Sequence, residues 1–303
     1  MSGTRRRRLP AIRIATAVLL LALAVWTAVI EPRWVAARVE PLSSAQWQAP
    51  AGLKVALAGD WHLSTRSLWR VTSAERAARI VDEINAARPD VILLPGDFLA
   101  GSGDDEAFSI EDMAAVLGRL KAPQGVYAVL GNHDWWHGGE RTAKAFSAQG
   151  IRVLENAAVR LPGHDIWVVG IGDHSTGHSE PDRALAGVPK GAATLVMMHD
   201  PFSFATMPRT QGLVVASHTH GGQVSVPGYG ALVVPGAAPR EWAYGWVAHK
   251  GRRMYVTSGL GVSILPVRFN MRPEWVMFRQ GCFHSGSPVA RGTGPCSPSP
   301  AVP

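Results

Sequence analysis

The chain has 303 residues, of which 47% are hydrophobic and 17% charged, enough apolar content for a large buried core and too much for wholesale disorder. Two cysteines cannot staple a chain of this length and glycine follows no strict period, which excludes disulfide-scaffold and collagen-like classes. The formal charge is +7, but Arg5, Arg6, Arg7, Arg8 and Arg13 supply five of those charges at the N-terminus, so the pI of 9.9 makes no case for a nucleic-acid partner.

Residues 1–13 form a basic N-terminus, and residues 14–30 run for 17 positions without a charge. As a helix this run is roughly 25 Å long, the short end of what spans a bilayer. Arginines before it and Glu31 after it point the N-terminus inward by the positive-inside tendency. The expectation is a single-pass protein of the inner membrane with its body outside the cytoplasm. A cleaved signal peptide is the alternative, with small residues at Ala22-Leu23-Ala24 or Val35-Ala36-Ala37. The length of the run favours the uncleaved anchor.

Pro32, Pro41 and Pro50 punctuate residues 31–52, which read as a linker. The body follows over 53–280. Residues 53–58 form an apolar run with the length of a buried strand. Residues 74–87 have helical spacing, with Ile80, Val81 and Ile84 on one face and Thr72 or Ser73 as cap. A strand at 91–94, a helix at 111–120 and a strand at 125–130 continue a β-α-β-α-β order, which predicts a largely parallel sheet. The second half is richer in short strands, at 166–169, 194–198, 213–215, 254–257 and 275–278. Two sheets packed face to face and flanked by helices accommodate both halves. Residues 281–303, rich in Gly, Pro and Ser, read as a disordered tail in which Cys282 and Cys296 either pair or remain thiols.

Polar residues follow five of these apolar runs. They are Gly59-Asp60-Trp61-His62, Gly96-Asp97, Gly131-Asn132-His133-Asp134, His199-Asp200 and His218-Thr219-His220. Strand carboxyl ends are where open α/β sheets bind ligands. Gathered at one edge, these residues offer carboxylate, carboxamide and imidazole groups without thiolate, a set suited to Mn, Fe or Zn. A lone strand-end Asp or His is ordinarily a cap or a core residue. Five in series point to a metal site.

The series Asp60-x-His62, Gly96-Asp97, Gly131-Asn132-His133-Asp134, His199 and His218-x-His220 resembles the calcineurin-like metallophosphoesterases. The stretch 218–224 and the later 258–263 and 266–269 resemble a bacterial membrane-associated branch of that family. Ser217 stands where the family usually has glycine. The resemblance implies a four-layer α/β/β/α sandwich of two mixed sheets, here preceded by a transmembrane helix. It implies two divalent ions. Asp60, His62, Asp97 and His220 would hold one, and Asp97 would bridge to a second held by Asn132, His199 and His218. His133 would be no ligand but the general acid at the leaving group, with Asp134 directly after it to orient its imidazole.

The implied activity is hydrolysis of a phosphodiester or related phosphoester by attack of a metal-bound hydroxide, without a covalent enzyme intermediate. The anchor, together with Trp61, Trp135 and Trp136 inside the motifs, favours an amphiphilic, lipid-linked substrate, although these rings could equally be packing beside the site. Two other readings stand beside it. One is hydrolysis of a UDP-diacylglucosamine-type lipid pyrophosphate on the cytoplasmic face. The other is a non-catalytic metal-binding scaffold, against which the intact ligand set and His133 both argue. Asp173 is either substrate-facing or a turn residue, and Arg240 or Arg268 could approach a phosphate.

Overall fold

The computed structural model describes residues 3–42, 52–65, 71–101 and 108–280. The expected tail with its two cysteines and the stretch 43–51 lie outside the described residues. Helix α1 (Gly3–Val25) passes through a π-helical turn (Trp26–Ile30) and a 3-10 turn (Glu31–Arg33) into strand β1 (Ala36–Leu42). The order continues with β2 (Lys54–Leu57), α2 (Ala74–Ala86), β3 (Val91–Leu94), α3 (Ile110–Leu117), β4 (Val126–Ala128), α4 (Asn132–Ala148) and β5 (Ile151–Val153). The second half has β6 (Ala157–Arg160), β7 (Ile166–Ile171), α5 (Pro181–Leu185), β8 (Ala193–Met198), α6 (Ser203–Thr206) and β9 (Gln211–Ala216). It closes with a short hairpin, β10 (Ser225–Val226) and β11 (Gly230–Ala231), then β12 (Gly245–His249), β13 (Arg252–Val256) and β14 (Glu274–Gln280).

Two six-stranded mixed sheets result. The first has the order β1-β14-β2-β3-β4-β5 and is parallel except between β14 and β2. The second has the order β12-β13-β9-β8-β7-β6 and is parallel except at its two outer pairs. Side chains alternate across a strand, and here both faces are apolar. Val55 and Leu57 of β2 meet Val168, Leu195 and Val215 of the opposing sheet, while Ala56 and Ile92 turn to the helices. Ile80, Val81 and Ile84 of α2, Met113 and Leu117 of α3 and Phe146 of α4 cover the first sheet. Phe204 of α6 and Trp242 cover the second, packing on Val196, Val214 and Val256. Three apolar cores separating four layers are the sandwich that the sequence leads one to expect.

Ser73 caps α2, its hydroxyl accepting from the Arg76 amide at 3.3 Å. Residues 31–42, read as linker, are instead part of the folded body. Glu31 is buried, and β1 pairs in parallel with β14 along its whole length. Its sequence Ala-Ala-Arg-Val-Glu-Pro-Leu carries charge and a proline because it is an edge strand with a single neighbour, where a missing N–H is tolerated. Among the described residues, Ile12–Arg33 is the helical stretch long and apolar enough to cross a membrane, and its side chains from Ile12 to Trp26, Leu19 and Leu21 among them, are exposed.

Candidate metal centre

The carboxyl ends of β2, β3, β4, β8 and β9 lie along the same edge of the sandwich and deliver Asp60 and His62, Asp97, Asn132, His199, and His218 and His220. The chain bends sharply to do so. Asp60, His62, Asp97, His218 and His220 all have φ between 45° and 70°, the left-handed region that non-glycine residues seldom occupy. Five such residues in one cluster mark backbone held by its surroundings for the sake of side-chain placement. The approach of the β3 and β4 loops is equally tight. A Cβ at Gly131 would collide with Oδ1 of Asp97, so only glycine fits there.

The seven side chains are buried. Ligand-type atoms of Asp60, His62 and His220 lie within 4.8 Å of one another, as do those of Asp97, His199 and His218. Asp97 stands between the two groups, its Oδ2 at 3.5 Å from Nε2 of His62 and 3.3 Å from Nε2 of His199. Asn132 presents its Oδ1 at 3.1 Å from Nε2 of His199. The backbone amide of His218 donates to both oxygens of Asp60 at 3.1 Å. Nδ1 of His199 is 2.8 Å from the Pro95 carbonyl, which can only accept, so the proton sits on Nδ1 and Nε2 is turned to Asp97 and Asn132. Ser217 joins this support. Its hydroxyl donates to the Pro95 carbonyl at 2.7 Å and lies 3.1 Å from Nδ1 of His199, so the family's glycine is replaced by a side chain with its own use.

The electrostatics fit a cation. Burial pushes the Asp60 carboxyl up to about 7, against the pull of His199. Burial pulls His62 down to about 3 and holds His220 and His218 below the ordinary imidazole range, so these rings are neutral and ready to ligate. Burial opposes the charges of Asp97 and His199 too, but their mutual attraction holds Asp97 well below its usual range and His199 well above, so a cation binding at Nε2 of His199 would displace its second proton. Ring nitrogens face one another across 3.0 Å in the pairs His62–His220 and His199–His218, while Nε2 of His218 and Nδ1 of His220 have no hydrogen-bond partner. Buried carboxylates and neutral imidazoles converging with orphaned nitrogens form a donor set that hard or borderline divalent ions satisfy. The residues present therefore fit metal binding.

His133 is partly buried beside this cluster. Its ring stands edge-on to His62 at 4.8 Å and to Trp136 at 4.7 Å, and Nδ1 is 2.6 Å from the Gly101 carbonyl. Its atoms also come close enough to His62 and Asp97 to form a third ligand-like group. Asp134 is placed differently from expectation. Its carboxylate does not orient His133 but accepts from three backbone amides, those of Asp97, Phe98 and Gly131, each at 2.8 Å. Asp134 sits three residues into α4, where a carboxylate reaches back to free amides, and so ties the β3 loop to the α4 N-terminus. Burial and Asp97 push its carboxyl up to about 8 while the amides favour the charged form. The Gly101 carbonyl fixes His133 in its place. Asp134→Ala should leave three buried amides unpaired and cost roughly 3–5 kcal/mol of stability. Thermal unfolding together with metal content checks this, and both should fall.

The remaining candidates separate. Arg268 is fully buried, its guanidinium spent on the carbonyls of Ser258, Gly259, Gly261 and Met271, and cannot reach a phosphate. Arg240 lies over the Tyr229 ring at 4.1 Å. Asp173 is a turn residue through Oδ2, which accepts from the amide and hydroxyl of Thr176, while Oδ1 is buried without a partner. Trp61 is core and Trp135 stacks on His178 at 3.6 Å, which leaves Trp136 as the exposed ring by the site.

The chain belongs to the calcineurin-like phosphoesterase family, whose model matches residues 53–222, more than half of its length. It is 28% identical to the uncharacterized metallophosphoesterase YkuE of Bacillus subtilis, the match covering 75% of this chain and 78% of that protein. It is 33% identical to the phosphodiesterase YaeI of Escherichia coli over 63% of this chain and 70% of the relative. Of solved structures, the 5'-nucleotidase precursor of Thermus thermophilus aligns with a TM-score of 0.45 at 17% identity, over 69% of this chain and 49% of the other. The protein is thus a metal-dependent phosphoester hydrolase with a metallophosphoesterase fold.

Proposed function

We propose that this calcineurin-like phosphoesterase cleaves a phosphodiester of an amphiphilic substrate, using two divalent ions, while its N-terminal helix anchors it in a membrane with the body outside the cytoplasm. The observation that carries the two-ion reading is Asp97. It is a buried carboxylate whose Oδ2 lies between two clusters of ligand atoms, within 3.5 Å of a ring nitrogen in each, while its Oδ1 accepts from the His133 amide. Asp60, His62 and His220 complete one group, Asn132, His199 and His218 the other. The phosphodiester preference follows the Escherichia coli relative, a phosphodiesterase. The catalytic unit is taken as residues 36–280, since β1 is built into its sheet.

A phosphoester is anionic, and ions bound at such a centre offset its charge and lower the pKa of water near phosphorus. The protein's own groups do the rest. The neutral carboxamide of Asn132 limits the negative charge that a substrate meets. His133 has its Nδ1 proton engaged by the Gly101 carbonyl, so as an imidazolium it would carry its second proton on Nε2 and give it to the departing oxygen, ending as the neutral Nδ1–H ring. Asp134 holds the β3 loop and the start of α4 in one register, so that Asp97 and His133 keep their separation.

The test is hydrolysis of bis-p-nitrophenyl phosphate and p-nitrophenyl phosphate by metal-stripped protein before and after reloading with Mn. The expected outcome is Mn-dependent release from the diester well above that from the monoester. Silence on the diester with metal bound, or a preference for the monoester, contradicts the reading.

A further inference from the structure

The exposed apolar residues of the body include Trp34, just after the N-terminal helix, Trp136 beside His133, and Tyr229, Leu232, Val233, Ile264 and Leu265 in the segments that follow His220. The junction between helix and body is a built joint. Glu31 accepts from Nε1 of Trp26 at 2.7 Å and from the Met271 amide at 2.6 Å. The buried guanidinium of Arg76 donates to the Pro32 carbonyl at 3.1 Å, and the half-buried Arg272 donates through Nε to the Trp34 carbonyl at 3.0 Å while its guanidinium lies 3.9 Å from the Trp34 ring. The helix therefore leaves the body in a defined direction. Trp26 and Trp34 meet edge to face at 6.0 Å, and Arg33 stands between them in sequence, the residue types that settle at a membrane–water interface.

A second segment reaches the same level. The Arg268 amide donates to the Thr27 carbonyl at 2.9 Å, which pins the loop 263–268 against the helix. Thr27 directly follows Trp26 and lies three residues before the charge-free run ends at Ile30, so this pin falls at the interfacial end of the helix. A loop held at that level is placed to sink apolar side chains into the headgroup region, which interfacial segments enter to roughly 5–10 Å. Ile264 and Leu265, just before this pin, are 99% and 61% exposed. The neighbouring hairpin, joined to the loop through the bridge of Val224 to Phe269, exposes Tyr229, Leu232 and Val233.

The same loop is fastened to the metal centre. Gln223, three residues after His220, donates to the Ser263 and Leu265 carbonyls at 3.0 and 3.1 Å and accepts from the Ser263 amide at 2.7 Å. The amides of Leu260 and Gly261 donate to the carbonyls of Gly59 and Asp60. A loop that carries two exposed aliphatic tips thus runs from the metal-bearing turns to the side of the helix.

We propose that the loop bearing Ile264 and Leu265, with the hairpin residues Tyr229, Leu232 and Val233, is a second membrane contact that enters the lipid headgroup region beside the helix and holds the metal centre at the bilayer surface. The occupant of this apolar surface is the bilayer, because the surface is continuous with the helix at Thr27. This deepens the proposed function and rests on its anchored reading. Substrate is then taken from the plane of the membrane and need not leave it.

The experiment uses the full chain, with Cys282→Ser and Cys296→Ser, in nanodiscs of phosphatidylcholine and phosphatidylglycerol. An environment-sensitive fluorophore is attached at Ile264→Cys or, as control, at Lys190→Cys, which precedes β8 at the opposite end of its strand. Nitroxide-labelled lipid should quench the 264 probe about twofold or more over the 190 probe. Equal quenching at the two positions overturns the proposal. The readout needs no turnover, so it is separable from the hydrolase reading. A quenched 264 probe on a protein inactive toward diesters supports the contact while removing the phosphodiesterase.

Discussion

His133→Ala is expected to lower kcat toward a diester by roughly a hundredfold to ten-thousandfold, the range for removal of a general acid, while leaving metal content and fold intact. The fold is safe because the ring is only partly buried and its one polar contact is with the Gly101 carbonyl at the surface of the site. Metal retention is the informative half. The ring lies close to His62 and Asp97, so geometry alone would also allow it to be a ligand. Against that stands its Nδ1, taken up by a carbonyl, and the complete set of other donors around Asp97. Elemental analysis of the purified variant separates the two roles. Full metal with lost turnover is the result for an acid, and depleted metal is the result for a ligand.

Asp97→Asn should behave in the opposite way. It removes the charge that faces both histidine clusters and turns one oxygen into an amide that donates where a cation would sit. Residues that merely orient ligands change metal affinity about 10–100-fold, so loss of the shared ligand should exceed about a hundredfold. Activity should fall to background, and the rise in Tm that metal gives the parent protein should disappear. The variant should still fold, since an asparagine oxygen can keep the bond from the His133 amide at 3.0 Å. Metal titration followed by calorimetry checks the affinity, and an unaltered binding curve would refute the bridging role.

What could be read in the sequence follows from physical scale. Asp60, Asp97, Asn132, His199 and His218 were legible because each ends a short apolar run in a polar residue, and both the run and its end are local features. The doubled apolar face of β2 and β3 likewise announced a sheet covered on both sides. β1 was not legible, since its charges and Pro41 are acceptable only at a sheet edge, which is a property of the partner strand β14. α4 was hidden by its Gly138-Gly139 pair, and the helix is indeed broken there, Gly138 having φ of 113°. Asp134 looked like a companion to His133 because the two are adjacent in sequence. Adjacent residues on a helix point apart, and the carboxylate went to the backbone of a loop 36 and 37 residues earlier. Arg268 shows the converse. An arginine in a motif-rich segment suits a phosphate until burial among four carbonyls is seen to occupy it.

The most direct test of the two-ion centre is a stepwise Mn titration of metal-stripped protein, followed at once by diester hydrolysis and by electron paramagnetic resonance. Activity should reach its plateau at two equivalents per chain, with the exchange-coupled spectrum of two ions a few ångströms apart, about 3.5–4 Å in such sites. A plateau at one equivalent, with the six-line spectrum of an isolated ion, would contradict a centre bridged by Asp97.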